Sequence, residues 1–348
     1  MSNKSQHKII FLADSGRQIG WGHYTRSKAL ADELTSRGAE VRFYLRGEIP
    51  TPPLGEHPVS ILEGEITAFL QNVSPHVNTI VLDLYAFSSE ILKSLEAWPV
   101  SVCIDDGNEL EFHCHLLVNP NVNEEFIHRT GPSTKYLHGG KSIVLRPQFD
   151  NVPKRKCRKE AAHLIVALGG TDPANLTLWT IRLLKHKKDL GIQKITVLVG
   201  DPSIKERLTS MTSGDERFQI LHGVEDVVSL LYEADVGVIA AGTLLYEAAV
   251  TGLPSLVVSL NEPQAREARA FANRRAIRYQ GNYKAIRDRN WVEELRALIP
   301  WGVRQEMAKN SQLFIDGKGR GLVANAIMEF IRMQGTKAGS GMPPAFRR

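Results

Sequence analysis

Short apolar runs alternate with amphipathic stretches along most of the chain. Lys8–Leu12, Glu40–Leu45, Thr79–Asp83, Val100–Ile104 and Leu116–Val118 each read as a strand. Gly20–Gly22 form a loop after the first run, and Tyr24–Ser36 read as a helix. Strands separated by helical segments predict parallel sheets built from βαβ units. The pattern then begins again, with strands at His163–Leu168, Ile195–Val199, Val236–Ala240 and Ser255–Val258. The predicted fold class is α/β: two Rossmann-like, doubly wound domains at 1–152 and 153–333, divided near Asp150–Arg158. Gly317–Ile331 read as a closing helix. The tail 334–348, rich in Gly, Pro and Ala, reads as disordered.

Composition narrows this picture without redirecting it. At 348 residues with 43% hydrophobic and 23% charged, the chain has material for two cores. Lys and Arg number 43 against 38 Asp and Glu, a net charge of +5. That excess suits an anionic small ligand and is too diffuse for a nucleic-acid binder. The densest basic run, Lys154–Lys159, follows Pro153 and reads as an interdomain linker rather than a phosphate patch. Cys103, Cys114 and Cys157 have no CxxC spacing, which gives neither a disulfide framework nor a zinc site and fits a reducing cytoplasm. The polar N-terminus lacks a signal peptide's apolar stretch, and nothing approaches the roughly 20 apolar residues of a membrane span. A soluble, monomeric, cytoplasmic protein is expected.

Ligands of open α/β sheets bind beyond the carboxyl ends of the strands, and the unusual residues of this sequence sit there. Asp14–His23 follows the first strand and opens a helix, with Gly20 and Gly22 allowing a sharp turn and close ligand approach. His23 at the helix start is either a cap or a general base kept neutral by the positive helix end. No third glycine completes a dinucleotide fingerprint. Asp83 at the next strand end either orients a hydroxyl or a water, or caps a helix. Asp105-Asp106-Gly107 reads as a turn before it reads as a metal site. In the second half, Gly169–Pro173 and Ala241–Ala248 place small residues and a hydroxyl at helix N-termini, favourable for a diphosphate. Glu247, one turn in from Thr243, is either a ribose ligand or a surface carboxylate.

Taken in order, these motifs resemble the nucleotide-sugar hydrolase of pseudaminic acid synthesis and the related spore-coat polysaccharide proteins. The resemblance rests on Ile19-Gly-Trp-Gly-His-x-x-Arg26, Asp83-x-Tyr85, Val118–Asn121, Leu145–Phe149, Leu168–Asp172, Asn261–Gln264 and Asp316–Gly319. It runs from about Phe11 to Ile327. It implies a GT-B-like fold, in which two Rossmann-type domains face each other across a cleft. It also implies removal of UDP from UDP-2,4-diacetamido-2,4,6-trideoxy-β-L-altropyranose, water attacking the anomeric carbon with inversion, without metal or other cofactor. By that resemblance His23 acts on the water; beyond it, Asp14 is expected to orient His23 or bind sugar, and Tyr85 to contact the acetamido sugar. The C-terminal domain holds UDP at Gly170-Thr171, Gly242-Thr243 and Glu247, and Gln264 approaches the diphosphate or the sugar. Gly20, Gly22, Arg26, Asp83 and Asn261 complete the expected substrate-binding set.

Two positions depart from the family pattern. Leu12 stands where many members carry Arg, and Leu84 where the strand-end motif often has His; if these side chains touch substrate, the sugar pocket is altered. A GT-B glycosyltransferase delivering sugar from a UDP-sugar donor to a hydroxyl acceptor is the alternative reading. A non-catalytic nucleotide-sugar-binding protein is a third, against which His23 beside Asp14 argues.

Overall fold

The structure is a computed structural model. It describes residues 7–16, 19–50, 56–73, 77–107, 109–123, 129–169, 172, 175–286 and 288–339. Two units account for them: residues up to Pro120 with 126–146 and 318 onward, and 121–125 with 147–317.

In the first unit β1 (His7–Ser15), α1 (Gly22–Ser36), β2 (Ala39–Gly47) and β3 (Val59–Ile61) are followed by α2 (Ile66–Asn72), β4 (Thr79–Asp83), α3 (Ser89–Ser94) and β5 (Val100–Ile104). β6 (Glu111–Phe112) and β8 (Arg129–Thr130) pair separately, whereas β7 (Leu116–Asn119) and β9 (Lys135–His138) extend the main sheet. Its order is β3-β2-β1-β4-β5-β7-β9, and every pairing is parallel. Both faces are covered, which is why the central strands read as unbroken apolar runs. Ile9, Phe11, Ala13 and Val81 face one core with Leu30 and Leu34 of α1. Ile10, Leu12, Ile80 and Leu82 face the other with Ile66, Leu70, Ile91 and Leu92 of α2 and α3. Leu84 belongs to that second core, and Leu12 and Leu84 are at most 1% exposed. The two departures from the family pattern are therefore packing positions.

The second unit holds β10 (His163–Ala167), α4 (Leu176–Lys185), β11 (Lys194–Val199), α5 (Pro202–Thr212), β12 (Phe218–His222) and α6 (Val227–Glu233). They are followed by β13 (Val236–Ala240), α7 (Thr243–Val250), β14 (Ser255–Ser259), α8 (Glu262–Asn273), β15 (Arg278–Asn282), α9 (Asp288–Arg296) and α10 (Trp301–Phe314). The parallel sheet runs β12-β11-β10-β13-β14-β15. In each unit the order reverses beside the first strand, at β1/β4 and at β10/β13, and the carboxyl ends there form a switch point.

The last helix, α11 (Gly319–Gly339), lies in the first unit, where Val323, Ala324 and Ile327 join the α1 core. The division therefore differs from the expected 152/153 and 333 boundaries: the second unit runs from Pro147 and closes at Gly317. The helix also carries the expected tail through residues 334–339, while 340–348 lie outside the described residues. The Asp316–Gly319 motif marks this crossing. A Cβ on Gly317 would stand 2.3 Å from the Phe149 carbonyl oxygen, and one on Gly319 2.2 Å from that of Ile143. Only glycine permits such backbone approaches.

The basic run is part of the second unit rather than a linker. Arg155 donates to the carbonyls of Leu231, Ala234 and Thr251, just where α6 and α7 end. Arg158 pairs with Asp235 at 2.7 Å, and the Lys159 ammonium lies 4.2 Å over the Trp301 ring. Cations at helix C-termini satisfy carbonyls left without partners there. Among the described residues no helix is long and apolar enough to cross a membrane.

Candidate active site

The loop after β1 closes on itself through a two-way backbone bridge between Gly16 and Gly20, with Gly20 at φ +85°. α1 starts at Gly22 without a side-chain cap from Trp21. His23, Arg26 and Ser27 then fall at helical spacing i, i+3 and i+4, on one face. That face meets the end of β4, where Asp83 is fully buried. His23 Nδ1 lies 2.7 Å from Asp83 Oδ1. Arg26 donates to both Asp83 oxygens, from Nε at 2.7 Å and Nη2 at 2.5 Å, and the Ser27 hydroxyl donates at 2.9 Å. Next to a carboxylate, Nδ1 carries the proton and donates, so Nε2 of the neutral ring is left as the acceptor.

The charges follow from these contacts. Burial alone would raise the Asp83 carboxyl, but Arg26 and His23 hold it far below the usual carboxylate range. Burial alone would lower His23, but the charge and hydrogen bond of Asp83 outweigh it, so the imidazole titrates above its ordinary value of 6.5. The expectation of a ring kept neutral by the helix end is corrected by this partner. Arg26 is itself buried, and its Nη1 donates to both oxygens of Asp106, at 2.7 and 2.8 Å.

Several predicted roles change. Asp14 does not orient His23. It sits opposite Arg46 in the β1–β2 register, takes both Arg46 contacts at 2.5 Å, and accepts the Tyr85 backbone N–H at 2.7 Å. Asp83 and Arg26, expected to bind substrate, are spent on each other and on His23 and Asp106. Tyr85 remains open: it is 56% exposed, with its ring edge-on to His23 at 6.4 Å between centroids. In the Asp105-Asp106-Gly107 turn, Asp105 accepts the Gly107 N–H, as a turn residue does. Ser27 and Arg46 went unassigned in the sequence, and Asp106 was read only as part of the Asp105-Asp106-Gly107 turn. The helical spacing of Ser27 behind His23 was the one signal available. Among the described residues no three His, Cys, Asp or Glu side chains gather as metal ligands.

In the second unit Gly170 and Thr171 lie outside the described residues. Beside them, Asp172 at φ +36° accepts the backbone N–H groups of Leu176 and Thr177, each at 2.9 Å, and burial pushes its carboxyl up. Gly242 is the N-cap residue of α7, Thr243 its first residue, and Glu247 is buried within it. Asn261, expected at substrate, caps α8 instead, its Oδ1 accepting the Gln264 N–H at 3.0 Å. Gln264 Oε1 accepts the Leu260 N–H, and its Nε2 packs on Gly242, where a Cβ would lie 3.8 Å away. The β13 and β14 ends thus bring Gly242, Thr243 and Gln264 together. Sequence reasoning missed Glu267, buried on α8, whose Oε1 accepts from Tyr246 and from the Val122 N–H.

No family model matches the chain. It is 25% identical over 328 residues to the Bacillus subtilis (strain 168) spore coat polysaccharide biosynthesis protein SpsG, spanning 90% of this chain and 95% of that protein. It is 27% identical over 251 residues to the UDP-2,4-diacetamido-2,4,6-trideoxy-beta-L-altropyranose hydrolase of Campylobacter jejuni, spanning 69% of this chain and 87% of that protein. Among solved structures, MurG of Acinetobacter baumannii superposes with a TM-score of 0.66 at 14% identity, covering 92% of this chain and 99% of that one. The calicheamicin glycosyltransferase CalG4 gives 0.61 at 13%, covering 97% and 100%. The sequence resemblance is upheld by these relatives, and the fold is the GT-B type with two Rossmann-like domains.

Proposed function

We propose, on the premise that this chain is a homologue of SpsG and of the altropyranose hydrolase, that it is a nucleotide-sugar hydrolase. Its substrate is UDP-2,4-diacetamido-2,4,6-trideoxy-β-L-altropyranose. Water attacks the anomeric carbon with inversion, and UDP and free sugar are released in nonulosonic acid synthesis. The observation that carries this reading is His23, its Nδ1 fixed by buried Asp83. Nε2 is thereby a base of raised basicity, suited to taking a proton from water near neutral pH. The N-terminal unit acts on water and sugar through His23 and Tyr85, with Asp14 setting the Tyr85 backbone. The C-terminal unit holds UDP, its diphosphate at the loops holding Gly170-Thr171 and Gly242-Thr243, with Gln264 beside them. No metal is required, because helix N-termini and backbone donors stabilise the leaving diphosphate. The three cysteines are free, which supports action in the cytoplasm.

Leu12 and Leu84 are buried in the core of the first unit, so their departure from the family pattern does not weigh against this reading in favour of the glycosyltransferase alternative. The test is UDP release from that nucleotide sugar in EDTA, without acceptor. Stoichiometric UDP and free sugar are expected. Intact substrate together with measurable UDP binding would turn the assignment to another sugar or to a transferase.

Glu247→Ala is expected to weaken UDP binding about tenfold or more by calorimetry, the size of a lost hydrogen bond to a charged group. An unchanged Kd removes Glu247 from the ribose site.

A further inference from the structure

Arg26 is held from two sides. Its Nε and Nη2 engage the two oxygens of Asp83, while Nη1 engages both oxygens of Asp106. The two carboxylates differ in exposure: the Asp83 side chain is 0% exposed and that of Asp106 42%. We propose that Asp106 is a positioning residue for His23: by gripping the Arg26 guanidinium it keeps the buried Asp83 carboxylate available to the imidazole. This rests on the reading of His23 as the base.

The argument is one of charge and geometry. Asp83 alone with Arg26 is a neutral pair, and a neutral pair gives little support to an imidazolium. With Asp106 the triad carries one net negative charge, which the protonated ring balances. Arg26 Nη2 stands 3.1 Å from His23 Nδ1, so without Asp106 the positive charge of Arg26 would act on the ring with only Asp83, which the ring shares, to oppose it. The charged groups acting on His23 are Asp83 from β4, Arg26 from its own helix and Asp106 from the loop after β5. Tyr85 meets the ring edge-on, Ser27 donates to Asp83, and Asp14 at the end of β1 is paired with Arg46. Because Asp106 is the exposed end of the chain of contacts, a substitution there reaches His23 without opening the core.

The test reads His23 directly, apart from turnover. The protein is labelled with [13Cε1]histidine and titrated by NMR, and the His23 resonance is assigned by its loss in His23→Gln. In Asp106→Asn the His23 midpoint is expected to fall by at least about half a pH unit, a threefold easier deprotonation, and Asp106→Glu to restore most of it. A midpoint unchanged in folded Asp106→Asn overturns the proposal. In the unsubstituted protein the Arg26 Nη groups are expected to show hindered rotation in 15N spectra. Free rotation there overturns the grip on Arg26 without any variant. If the midpoint shifts while no UDP-sugar is hydrolysed, the positioning role stands and the assigned reaction fails. If hydrolysis proceeds and the midpoint is fixed, the reverse holds.

Discussion

His23→Ala is expected to lower kcat for UDP release by about 10²- to 10⁴-fold, the usual contribution of a general base, while the Kd for UDP changes by less than severalfold. The split follows from the placement of the residue. His23 belongs to the first unit and UDP is assigned to the loops of the second. A base acting only in the transition state lowers kcat and leaves ground-state binding of the product nucleotide nearly intact. The unsubstituted enzyme should also show an acid limb in kcat/KM. The base works as neutral imidazole, and Asp83 lifts its titration above 6.5. Activity should therefore rise with pH through a midpoint above that value, and this limb should vanish from the residual rate of His23→Ala. Turnover near that of the unsubstituted enzyme in the variant, or an acid limb that survives it, would remove His23 from the chemistry.

Most strands legible in the sequence were buried on both sides, and β2 was legible by its alternation of buried and exposed positions. His163–Ala167 is buried at every position, and so are Thr79–Asp83, Val236–Ala240 and Ser255–Ser259. Besides the two-residue strands β6 and β8, the strands that went unread are β3, β9, β12 and β15, the four edges of the two main sheets. Their positions are half-buried or exposed, so polar residues such as Lys135, Gln219 and Gln280 interrupt any apolar run. α11 was legible as a helix and not as a piece of the first unit, because an apolar face says that something covers it and not what. The site shows the same division. The loop, the strand-end carboxylates and His23 were visible because each sits at a local punctuation of the chain. Their pairing was not. Asp14 stands nine residues before His23 and looked like its partner. The parallel register instead sets Asp14 opposite Arg46, and α1 lies so that His23 meets Asp83, 60 positions away. Register and helix placement are tertiary quantities with no local signature.

Asp83→Ala is expected to cost about 3–5 kcal/mol in the stability of the first unit, the range for removing one partner of a buried ion pair. Three donors lose their acceptor at once: the Arg26 fork, the Ser27 hydroxyl and His23 Nδ1. Asp106 continues to hold Nη1, but Nε and Nη2 of the buried Arg26 lose their acceptors. The pH dependence has a definite sign. Asp83 has its carboxyl depressed in the folded state, so its stabilisation is present above about pH 4 and is lost as pH falls through the lower folded value. His23 is raised, so its stabilisation is present below 6.5 and lost as pH rises through the higher folded value. The gap between the unsubstituted protein and Asp83→Ala should therefore be widest between about pH 4 and 6.5, and narrow on both sides. Replacing both partners, as in Arg26→Met with Asp83→Leu, should cost less than the two single changes together, because no buried charge is then left alone. Denaturant unfolding at several pH values, followed through the first unit's transition, measures all three terms. A loss under about 1 kcal/mol with no pH dependence would mean that the network neither holds the fold nor shares its charge with His23.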